Sequence, residues 1–155
     1  EWQVGERLLG LGDFDCFPLA GRCTLLEQKA LEGFLPLCVA RDVGIILGGP
    51  YNSGILATGA IDGARYNYTP APPYILDRVR RIEAVCAAHG VRLIDAALQF
   101  VTGHPAVRTV IPGAVSAGEV EANVENFARP ISPSLWSDLK SEGLLRTDAP
   151  VPGAS

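Results

Sequence analysis

The chain of 155 residues contains no methionine. It opens EWQVGERLL, which reads as the middle of an amphipathic helix, so a piece of a longer polypeptide is expected. Cysteine is sparse and unpatterned. The four, Cys16, Cys23, Cys38 and Cys86, include no CxxC pair, and three lie inside apolar runs. That excludes a thiolate metal cluster and points to small buried hydrophobes in a reducing cytoplasm. Histidine is scarcer still: neither His89 nor His104 has a partner at metal-ligand spacing, so no metal is predicted. No run approaches the roughly 18 apolar residues of a membrane helix, and the residues from Glu1 onward do not read as a basic-then-apolar signal pattern. Lys and Arg total 13 against 17 Asp and Glu, a net charge of −4 without basic clusters. This argues against nucleic acid or an anionic membrane as a partner.

What the chain has is interior. It is 48% hydrophobic and 19% charged with positive mean hydropathy, the profile of one globular domain over residues 1–155. The most informative stretch is VGIILGGPYNSGIL at 43–56. Residues 43–47 are unbroken apolar, as a strand covered on both faces requires. Gly48-Gly49 then opens a loop of small residues, Pro50 to Gly54. Such a loop at the C-terminal end of a buried parallel strand is where α/β folds place ligands. Its glycines admit a ligand to the main chain, and Asn52 and Ser53 offer donors to phosphate oxygens. A plain strand-to-helix turn uses the same residues.

Around that stretch, residues 1–11 read as a helix with Val4, Leu8 and Leu11 on its buried stripe. Residues 13–20 read as a strand, and 26–39 as a helix that Pro36 kinks or restarts. Residues 61–73, with Tyr66, Tyr68 and several prolines, form a long aperiodic loop. The two tyrosines there are substrate-proximal candidates or packing plugs. Residues 75–89 and 93–102 are helices, and His104 before Pro105 is a turn residue. A third strand spans 107–111. Ser116 and Glu119 then form a capping box ahead of an apolar stripe, Val120, Val124 and Phe127. A last helix follows Ser132-Pro133, and 146–155 is expected to be a flexible tail. Alternating strands and helices imply parallel βα units. An open parallel sheet of so few strands leaves unpaired edges, and no edge-blunting pattern is identified.

LAGRCTLLEQ at 19–28, ILGGPYNSGILATG at 46–59 and TVIPGAVSAGEVEANV at 109–124 together resemble the C-terminal half of an aldo-keto reductase of the sugar-dehydrogenase branch. The resemblance implies an α/β fold, the C-terminal part of a (β/α)8 TIM barrel, with these strands as the sixth to eighth. It implies a nicotinamide dinucleotide, NAD or NADP, gripped on the pyrophosphate side by Tyr51, Asn52, Ser53 and Gly54. Gly113, Ala114, Ser116, Glu119 and Asn123 match positions around the adenosine ribose and adenine. The family's catalytic Asp, Tyr, Lys and His match nothing here, so no catalytic residue is assigned. The implied parent oxidises an aldose of the L-fucose or D-arabinose type at the anomeric carbon to a lactone, in the cytoplasm. Pyridoxal or another carbonyl compound, and a non-catalytic dinucleotide-binding half-barrel, are the alternatives.

Three departures from that pattern bear on chemistry. Cys23 stands where the branch has tyrosine, Val115 where it has arginine, and Glu119 where NADP-preferring members carry a base. Losing the arginine forfeits one charged hydrogen bond of roughly 1.5–3 kcal/mol. A carboxylate beside a 2′-phosphate adds repulsion on the order of 1 kcal/mol. NAD is therefore expected in preference to NADP, although the capping box alone also accounts for Ser116 and Glu119.

Overall fold

A computed structural model describes residues 1–153. Helix α1 (Trp2–Leu9) leads to strand β1 (Cys16–Ala20), a 3-10 turn (Lys29–Glu32), helix α2 (Phe34–Ala40) and strand β2 (Gly44–Gly48). A one-turn helix α3 (Ile55–Thr58) and the short strands β3 (Arg65–Tyr66) and β4 (Thr69–Pro70) follow. Helices α4 (Pro73–Ala88) and α5 (Leu93–Phe100), strand β5 (Val107–Ile111), and helices α6 (Ala117–Ala128) and α7 (Pro133–Ser141) complete the order. The main sheet has the order β1-β2-β5, and both of its pairings are parallel.

β2 is central because its composition tolerates a neighbour on each side. Ile45 and Leu47 are fully buried within the core that the helices share, whereas Ile46, on the opposite face, is only half-buried. The expectation of cover on both faces therefore holds for one face alone. β1 carries Pro18 on an edge. Gly44 N–H donates to Asp15 O and Gly21 N–H to Gly48 O, both at 2.9 Å, so odd-numbered β1 residues face β2. Pro18, of opposite parity, turns its missing N–H outward, where no ladder bond is lost. This edge is thus blunted, a feature the sequence reading overlooked.

The helix layer departs from expectation in three places. In α1 the buried line is Gly5 and Leu9, while Val4, Leu8 and Leu11 are exposed. Gly5 decides this: a Cβ there would lie 2.6 Å from the Phe34 ring, so only glycine lets α1 rest on α2 along that line. The helix expected over 26–39 is instead the 3-10 turn followed by α2, restarting at Gly33. Pro36 falls in the first turn of α2, where its absent N–H had no intrahelical acceptor. Residues 61–73 are not aperiodic throughout: β3 and β4 form an antiparallel hairpin with Asn67 and Tyr68 both at positive φ, the geometry of a tight I′-type turn.

α4 buries Ile75, Val79, Ile82 and Cys86 as its period requires. The tail is not free over the described residues. Ala149 is buried, and Arg146 N–H donates to Gln28 Oε1 at 2.8 Å. Its residues 154–155 lie outside the described ones. Among the described residues no single helix is long and apolar enough to cross a membrane.

Candidate functional site

The β1–β2 register sets Ala20 beside Gly48, and the β2–β5 register sets Gly48 beside Ile111. All three strands therefore end at one level, and the loops that follow them emerge on one side of the sheet. The two segments singled out in the sequence are joined there directly: Tyr51 Oη donates to Asn123 Oδ1 at 2.6 Å. Tyr51 is buried, and burial pushes its phenol above the ordinary value.

The loop after β2 is strongly curved. Asn52, Ser53 and Gly54 have φ of 45°, 60° and 97°, a left-handed run that costs side-chain-bearing residues about 1 kcal/mol or more each. Asn52 is held in it by its own side chain. Its Oδ1 accepts from the Thr24 hydroxyl and its Nδ2 donates to Gly21 O at 3.1 Å. Asn52 is 4% exposed, and each end of its amide bonds a residue of the loop after β1. The side chain expected to donate to a phosphate thus ties two loops together. Ser53 Oγ accepts from Tyr68 N–H at 3.0 Å, which seats the hairpin turn on the same loop. An added Cβ at Gly54 or at Gly113 would meet nothing within 4 Å, so main chain faces open space at both positions.

After β5, residues Gly113, Ala114, Ser116 and Glu119 are exposed. Ser116 Oγ accepts from Glu119 N–H at 3.2 Å, and Glu119 Oε2 accepts from Val115 N–H at 2.9 Å. The serine half of the capping box is thus formed, while the Glu119 carboxylate takes the N–H one residue before the cap and is turned onto the backbone at the positive end of α6. Val120, Val124 and Phe127, expected to pack inward, are exposed. With Leu98, Val107 and Ile111 they line an open groove of about 690 Å³ between α6 and β5.

The aromatic candidates separate. Tyr66 is buried and its hydroxyl meets the Glu27 carboxylate, while Tyr68 is 82% exposed on the hairpin tip. Cys23 is buried, and burial pushes its thiol up to about 12, so it offers no reactive surface. His104 accepts from Ala106 N–H at 3.2 Å inside its turn, and burial lowers its pKa. Among the described residues no three His, Cys, Asp or Glu side chains gather as metal ligands.

Sequence reasoning missed a buried polar group beneath α6. Asp95, 3% exposed on α5, whose other buried residues are all apolar, binds Arg92 through two bonds of 2.8 and 2.5 Å. Arg92 also donates to Asn126 Oδ1 at 2.5 Å. The available signal was an acid inside LIDAALQF and two asparagines three apart on α6.

Comparison with known proteins adds three findings. Residues 11–142 match the model of the Aldo/keto reductase family. Pyridoxal 4-dehydrogenase of Microbacterium luteolum is 37% identical over 145 residues, which cover 94% of this chain and 42% of that protein. D-threo-aldose 1-dehydrogenase of a Pseudomonas species is 39% identical over 137 residues, 87% of this chain and 41% of that protein. An aldo-keto reductase from Bacillus halodurans, 22% identical, superposes with TM-scores of 0.71 in its apo form and 0.69 in its holo form. Each superposition covers 97% of this chain and 50% or 49% of that one. The chain thus spans about two fifths of the length of these curated relatives, 42% and 41%. Its parallel βα units are part of a (β/α)8 barrel.

Proposed function

The chain belongs to the aldo/keto reductase family, and from that premise we propose that it supplies the dinucleotide grip of an NAD(P)-dependent oxidoreductase. The observation that carries this reading is the meeting of the β2 and β5 loops at one end of a parallel sheet, bridged by Tyr51 and Asn123. The reading assigns the pyrophosphate to the loop of Tyr51, Asn52, Ser53 and Gly54, chiefly through its main chain. It assigns the adenosine end to Gly113, Ala114, Ser116, Glu119 and Asn123. The open space at Gly54 and Gly113 fits such a ligand, since a side chain at either would occupy it. A bound nicotinamide dinucleotide supplies the hydride acceptor or donor. The residues of this chain bind and orient it, and none is given a role at the reacting carbon.

The substrate of the intact protein is, on this reading, an aldose oxidised at the anomeric carbon to a lactone, with L-fucose and D-arabinose as test compounds. The 37% identity to a pyridoxal 4-dehydrogenase favours pyridoxal as a second reading. NAD is preferred over NADP because Val115 and Glu119 set no cation beside a 2′-phosphate. Tyr66 and Tyr68 border the substrate side through the hairpin. Titration of the intact protein with NAD and NADP, followed by turnover assays on the sugars and pyridoxal, tests all of this. Binding of NAD with oxidation of one of these substrates is the expected result. Binding without turnover of any carbonyl or sugar supports a non-catalytic dinucleotide-binding module instead. Replacing Val115 and Glu119 together with Arg is expected to move selectivity roughly a hundredfold toward NADP. Unchanged selectivity removes the assignment of those two positions.

A further inference from the structure

α6 is attached to the protein in an unusual way. Of its twelve residues only Asn126 is buried, and its apolar side chains face the open groove. Helices ordinarily dock by burying an apolar stripe, so something else fixes this one. The contacts are polar and directional. Arg92 reaches Asn126 Oδ1 at 2.5 Å, and Gln99 Nε2 donates to the carbonyls of Asn126 at 3.0 Å and Arg129 at 2.7 Å. One turn earlier on the same helix, Asn123 is held by Tyr51 at 2.6 Å. Asn123 and Asn126 stand three apart, on one face. Rolling α6 by a single residue, about 100°, would break both attachments.

Asp95 is the buried end of this arrangement. Its side chain is 5% exposed, whereas that of Arg92 is 52% exposed. An arginine so exposed has water available and no need to point inward. The two-point carboxylate contact at 2.8 and 2.5 Å aims its fork at Asn126. Arg129 Nε, at 4.0 Å from the same carboxylate, draws the C-terminal end of α6 toward it.

We infer that Asp95 is a positioning residue: through Arg92 and Asn126 it fixes the rotation of α6, and so sets Asn123 and the Ser116–Glu119 cap against the Tyr51 loop. The inference rests on the dinucleotide reading given above, in which α6 walls the adenosine end. It follows that Asp95 governs affinity for the adenosine half of the ligand and leaves the nicotinamide half untouched.

The test uses the intact protein with Asp95→Asn, which keeps the shape and removes the charge, and Arg92→Lys, which keeps the charge and loses the fork. Asp138→Asn, which removes the charge from the remote His89 contact of 2.7 Å, is the control. Dissociation constants for NAD and for nicotinamide mononucleotide are measured, together with amide exchange over residues 117–128. Asp95→Asn and Arg92→Lys are expected to weaken NAD about tenfold, one charged hydrogen bond in size. Mononucleotide binding should stay within about twofold, while α6 amides exchange faster and those of α4 do not. Equal weakening of both ligands, or unchanged α6 exchange with unchanged NAD affinity, overturns the inference. If the unsubstituted protein binds no dinucleotide, the functional reading fails, and α6 exchange alone then decides whether Asp95 positions the helix.

Discussion

Helices α5 and α6 flank the same strand, yet they meet opposite environments. α5 buries Leu93, Asp95, Ala96, Ala97, Leu98 and Phe100, and Phe100 lies 6.2 Å from the Trp136 ring of α7. α6 buries Asn126 and leaves its valines and phenylalanine open. Both show apolar residues at helical spacing, so periodicity does not separate them. What separates them is the neighbour: α5 is enclosed by α3, α4 and α6, with Trp136 of α7 against Phe100, while the groove side of α6 has no cover among the described residues. An apolar stripe states that a helix needs a partner. It does not state that the partner lies within the same stretch of chain.

The largest expected effect sharpens this contrast from the covered side. Phe100→Ala should cost about 3–5 kcal/mol by loss of burial and cavity formation, read as a fall in the denaturation midpoint. The covered loop after β1 supplies the next effect through Cys23. Its folded pKa is raised from 9.0 to about 12 by burial. Between those values the unfolded chain has released the proton and the folded one has not, so stability is present below about 9 and declines above it. Cys23 should contribute up to ~1.4 kcal/mol per pH unit. Cys38 and Cys86, raised to about 11 by burial, add to the same slope, so Cys23→Ala should remove its own share and leave theirs. In the same experiment the exposed Cys16 should react with a thiol reagent in the native state, and the buried Cys23, Cys38 and Cys86 only on unfolding.

Smaller effects belong to the open side. Ser116→Ala removes the cap of α6 and should cost about 1 kcal/mol, seen as faster exchange in the first turn of the helix. Phe127→Ala, on the exposed stripe of α6, should change the stability of this chain by less than about 0.5 kcal/mol. A loss several times larger would show that the groove is covered, and would erase the contrast with α5.

Much of the fold could be read from the residues alone. The apolar run at 43–47 gave β2, the stripe of α4 was located to within two residues at its start and one at its end, and Ser116 caps α6 by accepting from Glu119 N–H as spaced. The site was legible as two loops through the motifs around Gly54 and Gly113. Their direct contact was not, because Tyr51 and Asn123 are 72 positions apart and nothing local encodes the pairing. The same holds for Asn52, whose turn-forming type was visible but whose inward bonds to Gly21 and Thr24 needed β1 laid beside β2. Nothing local marks Asp95, near a helix start, as other than a solvated charge, and only the packing of α6 over α5 shows it buried.

Local chemistry, then, placed β2, α4 and the start of α6, because capping and hydrophobic period act within a few residues, but it did not place the break at Gly33 or the hairpin at 65–70. Which side of each element is buried depended on partners distant in sequence. Gly5 admits the Phe34 ring, Pro18 blunts one sheet edge, and Asn126 is drawn inward by Arg92. Burial belongs to pairs of surfaces, and one stretch of sequence describes only one surface of each pair.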